Sequence, residues 1–220
     1  MTIGDQCYLF DAGAPVAEAL TQLRIPFSAV RGIFISHLHG DHLDGLIHLV
    51  DLMCWYYRDC SPVIYLPGQS GINAMKCWLD MLEVSCERVS NFVDISGGML
   101  YQDDNITVTA VRNRHLTGEK RSYGFLIEAE GKHVFFTGDM GSSFDDYMAL
   151  FEKETFDLVF CEAAHGLLTE KAENLCRIQT KQLCLYHIYS DFNTAKVIAQ
   201  FRERMPYPVV TGYDEMEIVL

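Results

Sequence analysis

No apolar run in this chain approaches the roughly 20 residues that a helix needs to cross a bilayer, although 49% of its residues are hydrophobic. Nor does it open with a basic stretch, an apolar core and a cleavage site, so a cytoplasmic protein without membrane contact is expected. No Pro-, Gly- or Ser-rich linker, internal repeat or low-complexity segment divides the 220 residues. A chain of that length can bury a substantial core, so residues 1–220 read as a single domain. Positive charge is scarce: 17 lysines and arginines face 30 aspartates and glutamates, for a net charge of -13. Nonspecific nucleic-acid binding draws most of its affinity from cations on phosphates, so that class is disfavoured. Two local clusters, Arg112-Asn113-Arg114 and Glu119-Lys120-Arg121, could still form a basic mouth for one phosphate. The eight cysteines, at 7, 54, 60, 77, 86, 161, 176 and 184, form no CxxC pair. Reduced, largely buried thiols are expected, none of them a ligand.

What is abundant is histidine in one place. His37-Leu38-His39-Gly40-Asp41-His42 puts three imidazoles and a carboxylate into six positions, directly after Gly32-Ile33-Phe34-Ile35-Ser36, which reads as a buried strand. His37 and His39 are two apart, so in an extended or turn conformation their rings can point the same way and grip one cation. Asp41 and His42 then open a helix, whose positive end favours a carboxylate, and they suit a second cation. A surface loop with scattered histidines is the plain alternative. The strand-then-helix context speaks for the metal reading.

Apolar runs at Cys7 to Asp11, Ile33 to Ser36, Val63 to Leu66, Ile106 to Val111, Gly124 to Glu128, Val134 to Thr137 and Phe156 to Cys161 read as strands. Helical periods fall at 15–24, 42–58, 70–84, 143–153, 168–178 and 193–204. A hairpin from Ser122 to Gly138 turns at Glu130-Gly131-Lys132, further strand ends are expected at Glu162 and His187, and a last strand near Glu217 to Leu220.

The hexapeptide after a hydrophobic strand resembles the HxHxDH signature of the metallo-β-lactamase fold hydrolases, and the similarity runs over nearly the whole chain. Phe10-Asp11-Ala12-Gly13 resembles the family's aspartate-x-glycine turn. His115 falls where its third histidine falls, Thr137-Gly138-Asp139 matches the bridging aspartate, and His187 the last histidine. The resemblance implies an α/β fold, the four-layer αββα sandwich. It also implies one metal held by His37, His39 and His115, another by Asp41, His42 and His187, and Asp139 bridging them. Zinc is the default for such nitrogen and oxygen ligands, with manganese or iron as alternatives. Two cations about 3.5 to 4 Å apart can activate a shared water near neutral pH, so hydrolysis by attack of metal-bound hydroxide is implied. An aspartate at the bridge resembles the phosphodiesterase, glyoxalase and lactonase branches more than the zinc β-lactamases.

Within the family, Arg114-His115 with Ser122-Tyr123-Gly124-Phe125, and Gly212-Tyr213-Asp214-Glu215-Met216-Glu217, resemble the ribonuclease Z-like branch. A phosphodiester of a small molecule or nucleotide is the implied substrate. Three departures qualify this. The long arm that grips transfer RNA has no counterpart between residues 43 and 115, where the longest candidate is Pro67-Gly68-Gln69-Ser70-Gly71, so transfer RNA is disfavoured. Cys161-Glu162 stands where a His-Glu pair assists the leaving group, with histidine displaced to His165. Asp11 comes after only ten residues, so N-terminal strands of the family are missing or shortened, and a neighbouring chain could cover the open edge as a homodimer. Catalytic roles are expected for Asp41, His165 and Glu162, His165 as general acid or as a mere cap. Supporting roles are expected for Asp11, Gly13, Ser122 and Tyr123. His48 is read as a packing or surface residue and His133 as solvated in its hairpin turn. The competing functions are an acyl hydrolase (thioesterase or lactonase) and an inactive metal-binding module. Glyoxalase II is less favoured, because its C-terminal helical region is absent, and a diiron oxidoreductase would need a flavin domain.

Overall fold

The computed structural model describes residues 1–84, 87–141 and 144–220. By contact density the chain forms two compact units, Met1–Ser96 and Gly97–Leu220.

The first unit is a sheet in the order β1-β2-β3-β4-β5, from β1 Thr2–Ile3, β2 Gln6–Phe10, β3 Val30–Phe34, β4 Val63–Leu66 and β5 Phe92–Asp94. The β1–β2 pair is an antiparallel hairpin and the other three pairings are parallel. Parallel neighbours require crossovers, and α1 Val16–Gln22, α2 Gly40–Trp55 and α3 Gln69–Met81 supply them in turn. Their apolar stripes and one face of the sheet make a single cluster: Ile33 and Ile35 from β3 and its exit, Ile64 and Leu66 from β4, and Leu46, Leu49, Val50 and Met53 from α2. The α2 spacing of three and four residues is the helical stripe, and each such burial contributes roughly 1.5–3 kcal/mol. The alternate residues Phe10, Phe34 and Tyr65 stack on the opposite sheet face, with successive ring centroids 5.1 Å apart.

The second unit is a sheet in the order β12-β11-β10-β9-β8-β7-β6. Its strands are β6 Gly98–Gln102, β7 Ile106–Arg112, β8 Tyr123–Ala129, β9 Lys132–Phe136, β10 Leu158–Ala163, β11 Leu183–Ile188 and β12 Val209–Thr211. The β6 to β9 run is an antiparallel meander, and β9 to β12 are parallel. The parallel crossovers are α4 Met148–Phe151, α5 Leu168–Leu175 and α6 Ala195–Arg204. Phe135, Tyr147, Phe151 and Phe156 form the aromatic centre of this unit's core.

The alternating strands and helices follow the sequence reading, with four differences. The last strand is Val209–Thr211, and residues 216–220 carry no strand; Val219 is 94% exposed, so that apolar ending finds no core to join. The short strands β1, β5 and β6 had too little apolar alternation to register. Two strands, the β1–β2 hairpin, do precede the aspartate turn. Of the helix expected over 143–153 only Met148–Phe151 forms, with Phe144 in the left-handed region at φ 54°; residue 143 lies outside the described residues. Among those residues, no helix is long and apolar enough to cross a membrane.

Candidate metal centre

In the first unit the histidines hang from the end of β3, and Asp11 organises them. Asp11 sits in the left-handed region at φ 63°, a conformation that aspartate tolerates through local hydrogen bonding. Its carboxylate accepts the Ser36 backbone N–H at 2.6 Å and the Ser36 hydroxyl at 2.9 Å. Asp11 Oδ2 also lies 2.6 Å from His42 Nδ1. A carboxylate so close accepts a hydrogen bond from Nδ1–H, which fixes the tautomer and leaves Nε2 as the lone-pair nitrogen. The Ser36 hydroxyl gives its proton to Asp11, so at 3.0 Å from His37 Nδ1 it accepts from that ring, with the same result. The His37 ring centroid is 4.5 Å from that of His39 and 4.2 Å from that of His42. His37 and His42 are buried and His39 is exposed. Asp41, in the first turn of α2, brings Oδ2 to 3.6 Å from His42 Nε2.

Glycines let this loop close down on α2. A Cβ on Gly13 would lie 2.3 Å from the Asp41 carbonyl oxygen, and one on Gly45 would lie 2.1 Å from the Gly13 carbonyl oxygen. The Ala12 and Gly45 amides bind the His42 and Ala12 carbonyls across that contact, at 2.8 and 3.0 Å.

In the second unit the set gathers on Asp139, which is 1% exposed. His115 Nε2 stands 3.6 Å from Asp139 Oδ2, and His187 Nε2 stands 3.6 Å from Asp139 Oδ1. These separations exceed the 2.7–3.2 Å of a hydrogen bond. They approach the ~3.3 Å between two ligands that share one tetrahedral cation at about 2.0–2.1 Å each. His187 is placed by an irregularity: the β10–β11 register steps from Glu162↔Tyr186 to Ala163↔Ile188, which leaves His187 bulged out at φ 50°. Bulges re-aim side chains at strand ends.

His165 lies on the loop after β10, with its ring centroid 4.7 Å from that of His115 and its Nε2 3.8 Å from Asp139 Oδ2. Its Nδ1 is 3.1 Å from Glu162 Oε1. Glu162 is wholly buried and accepts backbone N–H groups from Met140 at 3.1 Å, Ala164 at 2.7 Å and His165 at 3.1 Å. It is a fixed acceptor that orients the loop and the imidazole. Ser122 and Tyr123 are both buried, and the Ser122 carbonyl accepts the Asn113 amide at 3.0 Å, so they hold the strand ends on either side of His115.

The sequence reading missed three positioning residues. Asn113 accepts the His115 amide at 3.1 Å and donates to the Asp139 carbonyl and the Tyr147 hydroxyl, both at 2.7 Å. The Tyr147 hydroxyl in turn donates to the Thr137 carbonyl at 2.6 Å, and burial pushes its phenol well above the usual range. An asparagine two residues before a ligand is an Asx-turn signal that could have been noticed. Ser36, next to His37, is the second. Asn193 donates to the Ala163 and Gly166 carbonyls at 2.8 and 2.9 Å and accepts the Leu168 amide at 2.9 Å. It pins the His165 loop, and nothing in the local sequence marks it.

Two readings of nearby residues change. Arg114 does not serve a basic mouth, because its backbone N–H and Nε donate to Asp146 Oδ1 at 2.8 and 3.1 Å and its Nη2 to Asp145. The hydrogen bond and charge of Asp146, then of Asp145, raise its pKa further. His133 lies on β9, past the turn, half-buried, with Nε2 3.7 Å from Glu128 Oε1. His48 is exposed on α2, as expected of a surface residue. Four of the seven described cysteines are buried; Cys86 lies outside the described residues.

The donor set, imidazole nitrogens and carboxylate oxygens with Nε2 presented by fixed tautomers, fits borderline divalent cations such as zinc. A ribonuclease Z from Listeria monocytogenes serotype 4b is 31% identical over 128 residues, 57% of this chain and 40% of that protein. The chain thus spans about 40% of the length of that curated relative. The metallo-β-lactamase fold protein YhfI from Bacillus subtilis superposes with a TM-score of 0.76 at 18% identity, covering 98% of this chain and 88% of that one. A diphosphatase of the PhnP family superposes with a TM-score of 0.72 at 15% identity, covering 100% and 82%. The fold is therefore that of the metallo-β-lactamase proteins, with sequence likeness to ribonuclease Z. The family profile of anti-Pycsar protein Apyc1 matches residues 1–201, and the chain belongs to that family.

Proposed function

We propose that this chain is a dinuclear metal-dependent hydrolase of phosphodiester bonds in a small molecule or nucleotide, with residues 1–220 working as one catalytic module. In this reading His37, His39 and His115 serve one cation, Asp41, His42 and His187 the other, and Asp139 both. The observation that carries it is the Asp139 carboxylate, whose two oxygens each stand 3.6 Å from a different imidazole Nε2. That arrangement supports a bridging role. Two divalent cations held there would lower the pKa of a shared water and neutralise charge developing on the phosphoryl group.

The chain's own groups do the rest. Asp11 and Ser36 hold the Nδ1 sides of His42 and His37, which leaves their buried Nε2 atoms as the lone-pair nitrogens. His165, half-buried beside Asp139, holds a proton for the departing oxygen, and Glu162 keeps its Nδ1 side engaged so that Nε2 is the atom that transfers. Glu162 therefore acts through His165, and Asp41 acts as a ligand. Relatives named ribonuclease Z and diphosphatase support a phosphoester substrate, and the family's name supports an action against Pycsar. The net charge of -13 weighs against transfer RNA.

The test is elemental analysis of protein purified without added metal, paired with turnover of bis(p-nitrophenyl) phosphate against lactone and thioester substrates. We expect two metal equivalents, zinc first, and turnover that is lost on chelation and restored by Zn2+ or Mn2+. Asp139→Asn should cost more than the roughly 10–100-fold typical of residues that only orient ligands. A single equivalent, or a preference for the lactone, would defeat the proposal.

A further inference from the structure

We infer that Tyr189 and Phe192 form a stacking platform for the base of a nucleotide substrate, an inference that rests on the phosphodiesterase reading above. The two rings sit on the turn that leaves β11, 48% and 50% exposed. Their centroids are 4.9 Å apart at 69°, edge to face. Two large aromatic side chains held half in water side by side keep apolar area available to a ligand.

Position gives the platform its meaning. Tyr189 follows the ligand His187 by two residues, so at most about 7 Å of chain separates them. The turn is also tied to the loop that carries His165. Tyr189 N donates to the Ala163 carbonyl at 3.3 Å, and the Phe192 and Asn193 amides fold back onto the Tyr189 carbonyl at 3.2 and 2.9 Å. The Asn193 side chain then grips Ala163, Gly166 and Leu168. A phosphoryl group placed between His187 and His165 would thus have a fixed aromatic surface within a nucleoside's reach.

Charge selects which end of the substrate lies there. Asp191, exposed between the two aromatics in sequence, repels phosphate, so the platform takes an uncharged planar ring. Bases stack on aromatic side chains irrespective of sequence, because every base offers a π-face. The platform accordingly selects for the presence of a base over a bare phosphodiester.

Calorimetric titration of the metal-loaded full chain tests this. Adenosine 5′-monophosphate and uridine 5′-monophosphate should bind about tenfold or more tightly than ribose 5-phosphate. Tyr189→Ala and Phe192→Ala should each erase most of that ratio with ribose 5-phosphate affinity held within about twofold, while Tyr189→Phe and Phe192→Tyr preserve it. A short oligoribonucleotide that binds no better than the mononucleotides marks a free nucleotide as the source of the base; a tenfold better one marks a chain end. Equal affinities for ribose 5-phosphate and the nucleotides, or alanine variants that keep the ratio, overturn the platform. Failure here leaves hydrolysis of bis(p-nitrophenyl) phosphate by the wild type untouched, whereas failure of the phosphodiesterase reading removes that turnover itself.

Discussion

Asp11 shows how much one side chain arranges without being a ligand. Its two oxygens take up the Ser36 amide, the Ser36 hydroxyl and the His42 Nδ1 side, so a single substitution unsettles both His37 and His42. We expect Asp11→Ala to weaken metal affinity about 10–100-fold and to cost about 1–3 kcal/mol of stability from the buried Ser36 groups it leaves without an acceptor. Metal competition with a chromophoric chelator and urea unfolding of the metal-free protein read the two effects separately. Unchanged metal affinity would show that Ser36 and His42 hold their geometry without it. Residues of this kind are unevenly legible. The histidines of the hexapeptide announce themselves because a strand end and a helix start compress them into six positions. The aspartate turn could be located by its resemblance to the family, and its supporting role fits the geometry. Asn193 works through partners 25 to 30 residues away, and no local pattern carries such information, whereas Asn113 joins partners 26 to 34 residues away and leaves only its turn two residues before His115 as a local trace.

At the scale of elements, the site depends on how closely the loop after β2 can approach α2. The Gly45 Cα lies where any side chain would meet the Gly13 carbonyl, at 2.1 Å for a Cβ, and backbone atoms cannot step aside as the end of a flexible side chain can. Gly45→Ala should therefore destabilise by about 1–3 kcal/mol or more through overpacking, even though alanine is the better helix former by about 1 kcal/mol. It should also lower metal occupancy, because Asp41 and His42 precede it on the same helix. Thermal unfolding with and without metal checks both, and a variant as stable as the parent would mean that the loop is free to retreat. The element pattern itself was readable where strands were long and apolar, as in β4, whose limits Val63 to Leu66 were fixed by its composition. It failed at Glu217 to Leu220, where apolar residues have no neighbouring strand to pair with, and at the β11 bulge. A left-handed histidine inserted between paired strands follows from the register of two chains side by side, which neither segment encodes alone.

For the whole molecule, the buried thiols set a limit on its alkaline side. Burial raises the pKa of Cys7, Cys161 and Cys184, and it pushes Cys60 from the ordinary 9.0 up to about 11, with Asp59 adding to the effect. The unfolded chain releases these protons near the ordinary value while the folded chain still holds them. Between those two pKa values the native state thus binds more protons than the unfolded state, and stability falls as pH rises. For Cys60 the contribution is complete below about pH 9 and is lost as pH climbs through about 11. Urea unfolding of reduced, chelator-treated protein should accordingly give a midpoint that is steady from pH 7 to 8.5 and declines above 9. Cys60→Ala should start lower, because it leaves a cavity in a packed core, yet decline less steeply than the parent over the same interval. A midpoint in the parent that stays level to pH 11, or an unchanged slope in Cys60→Ala, would show that this thiol ionises without opposing the fold.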